Sequence, residues 1–135
     1  MKKSWVFGAL GFLALISSCA KQQPGASDEL LSTLRSHMEQ PVTSEKGLAE
    51  QNALVKRVVE EDAFKDMRRH EVAAIIGKGS PCVEHPVCIR QGFDRDDWVY
   101  TVGQQPVDGA VMLPLLIVGF DREGHHSRSY YVIKD

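Results

Sequence analysis

Two thiols and an imidazole, Cys82, His85 and Cys88, stand three residues apart and are the first place in this chain to look for chemistry. A zinc ion could take all three, with His125 or His126 as the fourth ligand of a tetrahedral site. The same two cysteines could instead join as a disulfide or stay as free thiols. A C-x-x-C pair is absent, which argues against a catalytic dithiol. Asp94, Asp96 and Asp97 cluster around Arg95, but the glycine and terminal glutamate of a calcium-binding loop are missing, so the cluster reads as a solvated turn. His125-His126 could sense pH, since histidine titrates near pH 6.5; the simpler reading is an exposed strand start. The serine-hydrolase and zincin patterns are absent. Gly77-Lys78-Gly79-Ser80-Pro81 has the wrong glycine spacing for a phosphate-binding loop, and no helix is expected behind it. No residue takes a catalytic assignment. The expectation is a protein that is not an enzyme, with no cofactor and no small-molecule substrate.

The third cysteine, Cys19, bears on the other two through the compartment it implies. Met1-Lys2-Lys3 is a basic start, Trp5 to Ile16 is an uncharged apolar run, and Ile16-Ser17-Ser18-Cys19 closes it with small residues. This resembles the signal peptide of a bacterial lipoprotein, with residues 16–19 as the lipobox. The uncharged stretch is short for a transmembrane helix, which needs about 20 apolar residues. The resemblance implies removal of residues 1–18 and a diacylglyceryl group on the Cys19 sulfur, with its amine acylated. Each buried CH₂ adds roughly 0.8 kcal/mol, and two or more chains anchor stably. Ala20 follows where an aspartate would signal inner-membrane retention, which favours the outer membrane, facing the periplasm. In an oxidising compartment the even pair Cys82 and Cys88 is expected to form a disulfide, with no metal bound. Such a bridge closes a seven-residue loop containing Pro86, worth roughly 2–2.5 kcal/mol.

The chain has 135 residues and a net charge of −2. Loss of Lys2 and Lys3 with the signal segment makes the mature chain two units more acidic. No basic patch stands out, so nucleic acid and anionic membrane surfaces are poor partners; the membrane is reached through the lipid at Cys19. The length fits one small domain with a modest core.

These residues need elements to position them. Residues 19–26 read as a tether rich in Gln, Pro and Gly. Ser27-Asp28-Glu29 starts a helix whose apolar face is Leu30, Leu31, Leu34 and Met38, and Pro41 ends it. Thr43 or Ser44 caps a second helix reaching about Asp62, with Leu48, Val55, Val58 and Val59 inward and a frayed acidic end. A third helix, about Met67 to Ile76, buries Val72, Ile75 and Ile76 and stops at Gly77. From there the period becomes two. Val87–Gln91 reads as a short strand, and Asp96–Gly103 as a stronger one with Trp98, Tyr100 and Val102 on one face. Val111–Phe120 reads as a central strand that Pro114 interrupts or delays. Asp121-Arg122-Glu123-Gly124 reads as a hairpin turn, and Ser127–Lys134 as the returning strand. Helices first and a meander afterwards predict an α+β fold, with N-terminal helices packed on one face of a small antiparallel sheet.

Three segments then carry a family resemblance. Met67, Val72-Ala73-Ala74-Ile75-Ile76-Gly77 is similar to the "G-M-T-x-x-x-V-x-x-L-L-G-x-P" signature of the SmpA/OmlA (BamE-like) outer-membrane lipoproteins. Asp97-Trp98-Val99-Tyr100 resembles their "D-x-W-x-Y" strand, and Val118 to Gly124 their "L-x-V-x-F-D-x-x-G" hairpin. Asp66 stands where the family has glycine, Arg68 where it has a capping threonine, and Gly79 where it has proline. The resemblance implies helices on an antiparallel sheet, as in β-lactamase-inhibitor-protein domains. On this division residues 27–63 are N-terminal helices and 64–135 a BamE-like α+β domain, with Val72, Trp98, Tyr100, Val118 and Phe120 in its core. It also implies a lipid-anchored scaffold with a protein partner in envelope or outer-membrane assembly. The shared fold offers an inhibitor-like module docking on a secreted enzyme as an alternative, and the Cys-His-Cys spacing offers a metal-binding envelope protein.

Overall fold

The computed structural model describes residues 26–134. The signal segment, Cys19 and the tether ahead of Ala26 lie outside the described residues. Three helices come first: α1 (Ala26–Met38), α2 (Glu45–Glu60) and α3 (Arg69–Ile76). A two-residue strand β1 (Ser80–Pro81), a 3₁₀ turn (Cys82–Glu84) and a short helix α4 (Pro86–Arg90) follow. The chain ends in β2 (Trp98–Thr101), β3 (Leu115–Phe120) and β4 (His126–Val132). The four strands form one antiparallel meander in the order β1-β2-β3-β4. The fold is α+β, with the N-terminal helices packed on one face of a small sheet.

Each helix follows from its local chemistry. Asp28 and Glu29 lie in the first turn of α1, where the helix dipole favours negative charge. The Ser44 hydroxyl accepts the Gly47 N–H at 3.0 Å and caps α2. α2 stops at Glu60, and Arg57 draws Glu61 to 2.8 Å across its final turn. The chain then turns through Asp62 and Asp66, both at positive φ (49° and 61°), a region aspartate tolerates better than branched residues. At the start of α3, Arg68 makes no side-chain cap, and the Glu71 carboxylate reaches back to accept the Arg68 N–H at 2.8 Å. Pro114 delays β3, which begins one residue later.

One face of the sheet receives α1–α3. Leu30, Leu31 and Leu34 of α1, Leu54, Val55 and Val58 of α2, and Val72 and Ile76 of α3 pack with Trp98, Tyr100, Leu116, Val118 and Phe120. The N-terminal helices and the sheet therefore share one core. Gln51, 3% exposed, ties α1 to α2 by bonding both the ring and the carbonyl of His37.

The opposite face is covered differently from the expectation. Val87–Arg90, most of the segment expected as a strand, is helical: Pro86 occupies the first turn of α4, where its fixed φ and missing N–H suit a helix start. The edge of β2 that this segment would have needed is taken by Ser80 and Pro81. α4 and the 3₁₀ turn instead lay Cys82, Cys88 and Phe93 over Val99 and Ile117. The Cys82 and Cys88 sulfurs are at bonding distance, with Cα atoms 5.5 Å apart, and both residues are fully buried. Phe93 rests on Gly119, where an added Cβ would come within 2.9 Å of its ring. The Arg128 guanidinium lies over that ring, 4.0 Å from its centre.

His126 also departs from the exposed strand start expected for it. Its side chain is 4% exposed, its Nε2 lies 2.8 Å from Ser129 Oγ, and Phe64 packs against its ring. Burial lowers its pKa below 6.5, and Asp62, 3.8 Å away, only partly opposes this. A depressed histidine pKa stabilises the fold fully above the unfolded value and progressively less as pH falls through it. The melting temperature is therefore expected to drop between pH 7 and pH 5 more steeply in the wild type than in His126→Gln. Equal slopes would refute a buried neutral imidazole.

Candidate functional site

Two open grooves flank the sheet, each built by a different set of elements. The first lies where the N-terminus of α3 meets the β3–β4 turn. Trp98 and Ala73 supply apolar lining, Arg68, Arg69, His70 and Lys78 supply the basic side chains, and Glu123 with Gly124 closes one side. Its volume is 580 Å³. Arg69 is fixed rather than free. Its guanidinium donates to the Asp96 carbonyl at 2.8 Å and lies 5.0 Å from the Trp98 ring centre and 4.3 Å from that of Phe120. Backbone pairing locks the site: the Arg69 N–H donates to the Gly124 carbonyl, and Arg68 bridges to His125.

The second groove lies at the opposite end of the sheet. The long connection between β2 and β3 folds against the ends of β3, β4 and α4, and Val87, Met112, Leu113, Leu115 and Val132 line a volume of 470 Å³. Arg90 is its one charged lining residue. The connection is pinned by one side chain. Gln105 Nε2 donates to the Val111 carbonyl at 2.8 Å, and the Val111 N–H donates back to Gln105 Oε1 at 3.0 Å. Met112 is 62% exposed and Val107 fully exposed, while Ile89 and Tyr130 add further exposed apolar surface. Of these four, Met112 is the one that lines the groove.

The predicted core residues Val72, Trp98, Tyr100, Val118 and Phe120 are all buried together against the helices. The Tyr100 hydroxyl donates to the Gly77 carbonyl at 2.8 Å, and burial pushes its pKa well above the usual phenol range. Cys82 and Cys88 form the plate on the other face, and Cys19 lies outside the described residues. Among the described residues no group of three or more His, Cys, Asp or Glu is placed to hold a metal ion. No helix among them is long and apolar enough to cross a membrane.

The aspartate cluster is split. Asp94 and Asp96 are exposed, but Asp97 is 4% exposed and its carboxylate accepts the backbone N–H groups of Asp94 and Phe120. The solvated-turn reading therefore fails for Asp97, which closes the end of the β2–β3 ladder. Sequence reading also missed Gln105 and Arg69. A usable signal for the apolar groove was present: Val107, Ala110, Val111 and Met112 fall in a Pro- and Gly-bearing connection with no strand of its own. Arg69 carried no such signal, because its two aromatic neighbours come from different strands.

Fold and grooves together define a small α+β protein with an open groove at each end of its sheet. Compared with protein-family models, curated proteins and solved structures, the chain matches none.

Proposed function

We propose that this chain is a lipid-anchored, periplasm-facing binding or scaffold lipoprotein of the outer membrane, acting through a protein partner in envelope or outer-membrane assembly. The observation that carries the binding role is the apolar groove around Met112, a clamped and preformed surface that leaves the Met112 side chain in water. Burying that side chain against a partner is worth about 1.5–3 kcal/mol before association costs. The lipobox at Ile16–Cys19 supports the anchor and the compartment, and the buried Cys82–Cys88 pair suits an oxidising space. The SmpA/OmlA resemblance suggests the partner class. Asp66 supports that resemblance in a modest way: at the family's glycine position this backbone has φ of 61°, which glycine would also adopt readily.

A photocrosslinking residue at Met112, with one at the exposed Lys56 of α2 as control, tests the reading in the native envelope. The expected result is an adduct with a barrel-assembly or other envelope component from position 112 alone. Cys19→Ala is expected to abolish that adduct, shift the mass by loss of the acyl groups, and move the protein out of the membrane fraction. Identical adducts from both positions, or an unchanged membrane fraction and mass for Cys19→Ala, would overturn it.

A further inference from the structure

The groove at the start of α3 lies at the other end of the sheet from the apolar groove, and its chemistry differs. Three permanent cations, Arg68, Arg69 and Lys78, line it against one carboxylate, Glu123, in a chain whose net charge is negative. Arg69 is already held by the Asp96 carbonyl and two aromatic rings, so it contributes a fixed positive wall. Arg68 and Lys78 are both exposed, and they flank α3 at its two ends. Eight helical residues at 1.5 Å each separate those ends by about 12 Å. A single phosphate or carboxylate is too small to sit against both ends of such a trough. An extended peptide rises about 3.3 Å per residue and points side chains i, i+2 and i+4 to one side, so two carboxylates four residues apart lie about 13 Å apart. The residue between them falls over the apolar lining supplied by Trp98 and Ala73.

We propose that this groove binds an extended acidic segment of a protein, with carboxylates at i and i+4 paired to Arg68 and Lys78 and an apolar side chain at i+2 against Trp98. The site is independent of the apolar groove and of the lipid anchor. It gives the protein a second, electrostatically selected contact at the opposite end of its sheet.

Trp98 is itself the reporter. Trp5 and Trp98 are the two tryptophans of the chain, so the full-length Trp5→Phe protein in neutral detergent carries one, in the groove. The probe is acetyl-Glu-Ser-Leu-Ser-Glu-amide, with acetyl-Glu-Glu-Leu-Ser-Ser-amide as its composition-matched control. The expected result is a saturable change in Trp98 fluorescence that salt weakens. The control peptide, Arg68→Ala and Lys78→Ala each weaken it about tenfold, while Lys56→Ala on the exposed side of α2 leaves it unchanged. Lys78→Glu is expected to lose the acidic probe and gain the peptide whose last residue is lysine. The proposal is overturned if no saturable change occurs or if both peptides bind alike. It is equally overturned if inorganic phosphate or vesicles of anionic phospholipid give the same change and displace the peptide, since the ligand would then be a phosphate group or a membrane.

Discussion

Trp98→Ala lowers the free energy of unfolding by about 3–5 kcal/mol, the cost of emptying a buried aromatic site. Trp98 is 5% exposed and sits at the start of β2, where three sets of contacts meet. Its ring stands edge-on to Phe120, with centroids 5.2 Å apart, and edge-on to Tyr100 at 6.5 Å. Arg69 lies over it from α3. Behind it, the backbone of Gly79 comes so near that an added Cβ would lie 2.7 Å from Trp98 Cβ. None of these neighbours is free to collapse into the space an alanine leaves. The strand backbone is held in the sheet, Gly79 has no side chain to offer, and Arg69 would carry its charge into the void. Cavity cost is largest where relaxation is least, so the upper half of the range is expected. A domain of this size loses about 4 °C or more of melting temperature per kcal/mol, so thermal unfolding would shift by some 12 °C or more. Trp98→Phe, which keeps an aromatic edge against Phe120, is expected to lose less than half as much. A melting temperature within a degree or two of wild type for Trp98→Ala would refute this packing.

The same residue shows how far the sequence carried the fold. Alternation of Trp98, Tyr100 and Val102 placed those three on one face, and the spacing of Leu30, Leu31 and Leu34 placed the helix that covers it. Both patterns arise because burial repeats with the period of the local backbone. The covering of the other face was not legible. Val87, Cys88 and Ile89 have the composition of a strand, and only the competition for the β2 edge, decided by Ser80 and Pro81, turns them into a helix. That competition is tertiary and leaves no periodic trace over five residues. His126 was hidden for a related reason. A histidine beside a turn reads as exposed, and it is buried here because the left-handed turn at Asp62 folds the end of α2 across it. The grooves were half legible. The apolar residues of the 103–114 connection announce a surface, but the Gln105 clamp that shapes it depends on a contact six residues on. The Arg68–Lys78 trough depends on α3 lying along Trp98, which no local pattern specifies.

Asp97 carries the other large expected effect, and it decides whether the aspartate cluster is surface decoration or framework. β2 pairs with β3 from Trp98 onward, so the next N–H of β3, that of Phe120, lies beyond the last backbone acceptor of β2. Asp97 Oδ1 accepts it at 3.0 Å in a buried setting, and Oδ2 accepts the Asp94 N–H at 2.8 Å, which closes the 94–97 turn. The Asp97 carbonyl accepts the Cys82 N–H at 2.8 Å, so the disulfide-bearing plate hangs from the same residue. Hydrogen bonds to a charged group are worth about 1.5–3 kcal/mol each, and removing the acceptor also strands a buried donor. Asp97→Ala is therefore expected to cost about 3–5 kcal/mol in urea unfolding, against the half kcal/mol or less expected of a solvated surface aspartate. Asp97→Asn keeps one carbonyl acceptor and turns an N–H₂ toward the other donor, so it recovers less than half of that loss. Hydrogen exchange separates this from a general loosening: in Asp97→Ala the Phe120 amide is expected to exchange faster than the global unfolding change accounts for, while the Val118 amide follows global stability. Equal loss of protection at both amides, or a cost near that of Asp94→Ala, would place the Asp97 carboxylate in solvent and remove it from the frame that holds β3 and the Cys82–Cys88 plate together.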